Sequence, residues 1–258
     1  MTRRGFTLLA VLWLIVALAA VGGVSLATAR VGAATTRNRI LLARADWARE
    51  ACIEILRARY VEHPDIRALD TVDLGRGTWC TARLEDPGAK VNVNVADREA
   101  LLAVVGAVRV VDSLVKMRPF ADVAELGDVA GIDSGTFAFL THLLTTRGSG
   151  QINVNAAPPE VLAAVPGLTS EAIGLILRWR AIGQRVTSSD ALAASISPPA
   201  RNVLYGDYQD FLRAATFAPN QLIVTVAAGV HGTQLVAHET LTAVPLPERL
   251  AVVRREVE

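Results

Sequence analysis

Residues 3–29 read RRGFTLLAVLWLIVALAAVGGVSLATA, and the rest of the 258-residue chain is read outward from this stretch. From Phe6 to Ala29 there are 24 residues without a charge. A helix rises about 1.5 Å per residue, so this run is long enough to cross a bilayer core of about 30 Å. Arg3 and Arg4 precede it. Basic flanks stay on the cytoplasmic side, so the remainder of the chain is delivered across the membrane. A cleaved secretory signal has a shorter apolar region that ends in small residues at the cut. Thr28-Ala29 offers only a weak version of that ending, and a retained membrane anchor accounts for the hydropathy.

From Arg30 to about His63 the pattern stays helical and becomes amphipathic. Ile40, Leu41, Ala45, Ala48, Cys52, Ile55 and Leu56 recur at steps that fit one helix face. Arg37, Arg39, Arg44, Arg49, Arg57 and Arg59 fall largely between them and read as a solvated face whose stems cover apolar surface. Pro64 ends the run, because its ring pushes His63 away from helical dihedrals. No proline interrupts Phe6 to His63, which predicts one helix of about 85 Å with Gly22-Gly23 as its softest point.

The next segment, Pro64 to Gly77, reads as a polar loop. Thr78–Leu84 alternates as a strand, Glu85-Asp86-Pro87-Gly88 as a turn, and Lys90–Asn94 as a short extended run. That run opens an internal repeat. Lys90-Val-Asn-Val-Asn-Val-Ala-Asp-Arg-Glu recurs as Gln151-Ile-Asn-Val-Asn-Ala-Ala-Pro-Pro-Glu at an offset of 61 residues. Asn92 matches Asn153, Asn94 matches Asn155, Leu101 matches Leu162 and Gly106 matches Gly167. Each copy runs from an extended Asn-x-Asn into a helix start. Pro158-Pro159-Glu160 suits a first turn, where proline loses no hydrogen bond and Glu meets the positive end of the dipole. The asparagines are predicted to be structural, with Asn94 and Asn155 capping or opening the turn.

Val165-Pro166-Gly167-Leu168-Thr169, followed by Ala172, Ile176 and Arg180, has the form of a helix-hairpin-helix element. Gly131-Ile132-Asp133 before Phe137 and Leu140 is a weaker one. Such hairpins present loop amides to nucleic-acid phosphates. A membrane-anchored DNA receptor of competence type is therefore the alternative function. Charge opposes it: residues 90–213 carry 11 Lys/Arg and 12 Asp/Glu, where a phosphate-neutralising module is basic.

After Ala218 the period returns to two. Leu222, Val224, Val226 and Ala228 share a face, Gly229 to Gly232 turns, and Leu235 to Leu241 forms a second strand. Pro245-Leu-Pro247 breaks the pattern before a last strand, Leu250 to Arg254. This is an antiparallel meander with one face to bury, and the amphipathic helix is its natural cover. The expected fold class is α+β: a long N-terminal helix on a small antiparallel sheet, with an inserted all-α domain containing the hairpin repeats.

The whole-chain charge of +1 gives no field for nucleic acid or acidic lipid. Cys52 and Cys80 are the two cysteines. An exported domain meets an oxidising compartment, so they either bond or remain buried thiols. Without a nearby His pair they do not form a zinc site. His63, His142, His231 and His238 are scattered, and none stands with a nucleophile and an orienting acid, so no enzyme is expected.

Arg-Arg-Gly-Phe-Thr-Leu-Leu before a retained apolar helix resembles a type IV prepilin signal. The resemblance implies cleavage after Gly5 and methylation of the new amine at Phe6. It departs at the fifth mature position, where Ala10 stands in place of the usual Glu. With the long helix, the paired Asn-x-Asn repeats and the C-terminal meander, the chain resembles the general secretion pathway protein K family. These are the largest minor pseudopilins of the type II secretion system. The resemblance implies a pilin-like domain interrupted by an α-domain: leader 1–5, membrane and filament helix 6–29, pilin-like domain 30–93 and 216–258, insert 94–215. It also implies a single-pass inner-membrane protein with a periplasmic globular domain. The subunit would sit at the tip of the pseudopilus, start its assembly and help export folded proteins across the outer membrane. The implied partners are two other minor pseudopilins, the major pseudopilin and the prepilin peptidase, with no nucleic acid. No cofactor is expected. Members of the family bind calcium, but no ligand is assignable here, because the acids of 64–77 lack an EF-hand spacing.

Overall fold

A computed structural model describes residues 3–257, the side chains of residues 3–10 and 257 excepted. The expectations for Gly5, Phe6 and Ala10 fall on side chains outside the described residues. The first element, α1 (Arg3–Glu62), is one helix that passes through Gly22-Gly23 and stops before Pro64. Past the apolar run it buries Ala45, Ala48, Cys52, Ile53, Leu56 and Tyr60. These positions form a stripe on one helix face. Ile40, assigned to that face from periodicity, is instead 50% exposed.

Five strands form the main sheet: β1 (Ala68–Gly75), β2 (Thr78–Glu85), β7 (Leu222–Val230), β8 (Val236–Leu246) and β9 (Arg249–Val257), in the order β1-β2-β7-β8-β9. β8 and β9 pair antiparallel from Leu246↔Arg249 to Glu239↔Val257, with a register shift between Thr242 and Ala243. β8 keeps Pro245 within it, opposite Leu250. β1 corrects the expectation of a loop over 64–77. It is an edge strand with no fully buried residue. Asp70 and Asp73 interrupt its apolar alternation, and acidic residues on an edge discourage pairing with another chain. The same residues hide the strand from a pattern search.

The chain divides into two compact units. The first comprises Met1–Ile55, Asp70–Thr81 and Val226–His238. Here Cys52 of α1 and Cys80 of β2 form a disulfide with Cα atoms 6.0 Å apart. Gly229 lies against Trp79, where a Cβ would come within 3.0 Å of the indole. The His231 amide donates to the Gly77 carbonyl at 2.7 Å.

The second unit comprises Leu56–Leu69, Ala82–Thr225 and Glu239–Glu258. Within it lie two copies of one motif. The first copy opens with β3 (Val91–Asn92), continues through α2 (Arg98–Val105), α3 (Val108–Met117) and α4 (Ser134–Leu143), and closes with β4 (Leu144–Thr145). The second opens with β5 (Ile152–Asn153), continues through α5 (Pro159–Leu162), α6 (Ser170–Ala181), α7 (Ser189–Ala194), α8 (Pro198–Gly206) and α9 (Tyr208–Ala214), and closes with β6 (Ala215–Thr216). In each copy the first and last strands pair in parallel, β3 with β4 and β5 with β6. One further equivalent bond extends each ladder. Val93 N–H donates to Thr145 O at 2.8 Å, and Val154 N–H to Thr216 O at 2.9 Å. Leu101, Leu114, Leu126 and Leu140 of the first copy join Leu162, Ile176, Leu192, Leu204 and Phe211 of the second in one apolar core.

Candidate assembly site

The described part of the N-terminal helix presents its apolar side chains to the outside. Leu12 is 61% exposed, and Trp13, Leu14, Ile15 and Leu18 are comparable. The helix is long and apolar enough to cross a membrane. An apolar surface of this extent needs lipid or another helix against it. The Cys52–Cys80 bond fastens this helix to the first unit's sheet at a point where both residues are wholly buried.

The repeated asparagines do more than the caps expected of them. Asn92 Oδ1 accepts from Asn94 N–H at 2.9 Å, and Asn153 Oδ1 accepts from Asn155 N–H at 3.0 Å, so the first of each pair shapes the turn. The second of each pair is not a helix cap. Asp97 caps α2 through Ala100 N–H, and α5 begins at Pro158-Pro159 without a side-chain cap. Instead Asn94 exchanges two hydrogen bonds with the Phe120 backbone, at 2.9 Å and 2.8 Å. Asn155 does the same with Val186, at 2.8 Å and 2.9 Å. It also donates to Phe217 O at 2.8 Å. A primary amide is the one neutral side chain that offers a donor and an acceptor side by side, so it can mimic a strand partner. Each asparagine thus holds a loop 26 or 31 residues away.

Two arginines complete the motif and were not singled out by pattern. Arg118 donates to Ala96 O at 2.7 Å, and Arg180 to Val154 O at 2.8 Å and Ala157 O at 2.5 Å. Burial lowers the pKa of both guanidinium groups from the usual value. They stay charged, because an arginine starts from above 12. Their recurrence at the end of the second helix of each copy is a signal a longer alignment of the two copies would have caught.

Asp86 joins the end of β2 to the second copy. Its carboxylate accepts from Gly88 N–H at 2.8 Å and from Asn153 Nδ2 at 2.7 Å. Burial raises its pKa, and the hydrogen bonds from Asn153 and Gly88 offset part of that rise. Asn92, the equivalent of Asn153, reaches the Arg147 and Gly148 carbonyls instead. The two copies therefore keep the same turn and use it on different neighbours.

Gly106 and Gly167 both sit at positive φ, +71° and +78°, after the first helix of each copy. Gly167 is buried, and a Cβ there would lie 3.2 Å from Leu204 Cα in α8. The tip of the hairpin is thus packed against another helix of the insert, where a phosphate-binding hairpin would face outward. A groove of about 720 Å³ lies between the copies. Its titratable groups are Asp97, Glu99, Asp207, Asp210 and Arg213. Asp97 is engaged in capping α2 and Arg213 pairs with Asp210, so no acid–base or nucleophilic set converges there. Among the described residues no three His, Cys, Asp or Glu are grouped to hold a metal ion. His63, His142, His231 and His238 are all exposed.

The fold is shared with a chain in the crystal structure of the GspK-GspI-GspJ complex from the enterotoxigenic Escherichia coli Type 2 Secretion System. The TM-score is 0.59 at 15% sequence identity, covering 88% of this chain and 99% of that one. At this identity the likeness is one of fold. No protein-family model matches the sequence, and no curated protein does.

Proposed function

We propose that this chain is a minor pseudopilin at the tip of a type II secretion pseudopilus. It is held in the inner membrane by α1 until it joins two other minor pseudopilins, and it then starts the filament that the major pseudopilin extends. Its role is to help export folded proteins across the outer membrane. The observation that carries this reading is the fold likeness over nearly all of a chain from a minor pseudopilin complex. The order Gly5-Phe6 followed by an uncharged helix adds to it.

The mechanism is one of assembly. A prepilin peptidase removes residues 1–5 and leaves a methylated Phe6 amine. In a pilin-type filament the carboxylate at the fifth mature position meets the amine of a neighbour, since a charge in lipid needs a partner. Ala10 gives this subunit no such carboxylate, while its amine can still receive one. That asymmetry suits the first subunit of a filament. Calcium remains outside the proposal, since the described acidic residues form no ligand cluster.

N-terminal mass analysis of protein recovered from its native membrane tests the reading. A mature chain that begins at methylated Phe6 is expected, and substitution of Gly5 is expected to abolish cleavage. A chain that still begins at Met1, or one cut beyond Ala29, would sink it.

A further inference from the structure

Between Ala29 and Asp46 the chain carries Arg30, Arg37, Arg39 and Arg44 and no acidic residue. All four are exposed, and among the described residues none of them makes an ion pair. Arg30, Arg37 and Arg44 recur every seven residues and so follow one line along α1. Beside them Ala33, Ile40 and Trp47 recur with the same period, with Ile40 50% and Trp47 77% exposed. Thr36 and Ala43 stand between. With Ala33, Ile40 and Trp47 at a, and Thr36 and Ala43 at d, the three arginines fall at e. Charges at e and g select the partner and orientation in a helix pair. At about 100° per residue, Trp47 lies roughly 140–180° around the helix from Ala45, Cys52 and Leu56, the residues α1 buries. The seam is therefore a second, uncovered face.

A lipid headgroup and a protein carboxylate could both neutralise arginine, and position along the helix separates them. The headgroup layer adds only about 5–8 Å beyond the hydrocarbon core on each side. With the span ending at Ala29, Arg30 lies in that layer, but Arg37 and Arg44 lie about 12 Å and 22 Å further along. A second copy of this chain is a poor match, since its g-position Arg39 would meet Arg44. We propose that this face takes one occupant: a helix running parallel to α1, with small or apolar seam residues and a carboxylate every seven residues opposite Arg30, Arg37 and Arg44. The pseudopilin reading bears only on which subunit supplies that helix.

The test uses the full chain in neutral detergent and two synthetic 28-residue helical peptides. Both carry Ala and Leu at a and d; one carries Glu at every g position and the other Lys. The Glu peptide is expected to bind. Binding should weaken on the order of tenfold with the Lys peptide, with Arg37→Glu/Arg44→Glu, and in high salt. Trp47→Ala should weaken both the wild-type and the charge-reversed protein, while the intact Cys52–Cys80 bond reports that the fold is kept. Equal binding of the two peptides, or no loss on charge reversal, overturns the proposal. So does loss of phosphatidylglycerol retention in Arg37→Glu/Arg44→Glu, which would make the membrane the occupant. None of these results depends on prepilin processing, so the pseudopilin reading and this one fail separately.

Discussion

Gly106 and Gly167 occupy the same place in the two copies, 61 residues apart, and differ in one physical respect. Both have positive φ, so alanine at either adopts a left-handed conformation that costs about 1–2 kcal/mol. At Gly106 that is the whole cost, because a Cβ there meets nothing within 4 Å. At Gly167 the new methyl would lie 3.2 Å from Leu204 Cα and 3.4 Å from its Cδ1 and O. Two of these three atoms belong to the backbone of α8, which yields less readily than a side-chain tip. Overpacking of this kind adds about 1–3 kcal/mol. Gly106→Ala should therefore lose about 1–2 kcal/mol and Gly167→Ala about 2–5 kcal/mol. Urea unfolding of the full chain in detergent, followed by tryptophan fluorescence, measures both. Trp179 in α6 packs against the insert core and reports on this region. Equal losses at the two sites would refute the view that the hairpin tip is closed by α8. An open tip would also return the phosphate-binding reading of the hairpin.

Asn155→Ala removes three hydrogen bonds and strands the buried Val186 amide, so a loss of about 3–4 kcal/mol is expected in the same unfolding assay. Asn155→Asp should fare little better, since a carboxylate cannot donate to Val186 O and Phe217 O. The Cys52–Cys80 bond spans 28 residues, and restraint of the unfolded chain makes it worth about 3.5 kcal/mol, to be read from Cys52→Ala/Cys80→Ala. Both cysteines are fully buried, so maleimide labelling after mild reductant should appear only under unfolding conditions. Asp86 gives a pH signature of definite sign. Its folded pKa is raised, so the folded state holds a proton that the unfolded state has lost, and the slope of stability against pH from this group is negative. Its contribution is fully present below the unfolded value near 3.8 and falls as pH rises through the folded value. The stability of the parent relative to Asp86→Asn should fall from pH 4 upward, and a parallel pair of pH curves would contradict the burial argument.

Much of the architecture was legible in the chain itself. An uncharged run of 24 residues states its length and solvent without reference to anything distant. A proline at position 64 ends a helix by local sterics. The strands β2, β7 and β8 alternate because one face of each is buried, and the repeat declares itself through matching letters. Tertiary structure decided what has no local period. β3 to β6 have two residues each, too short to alternate, and exist only because each finds a partner 53 or 63 residues away. β1 lies at an edge and so never needed the apolar alternation that would have revealed it. Asn94 and Asn155 are compatible locally with a cap, and only the closing of Phe120 and Val186 onto them makes them strand mimics. Cys52 and Cys80 carry no sequence mark of pairing, since a bond depends on the approach of a helix to a strand. Seven-residue spacing puts Arg30, Arg37 and Arg44 on one line in any straight helix. That their face stays uncovered follows from which opposite face α1 buries, and only packing determines that.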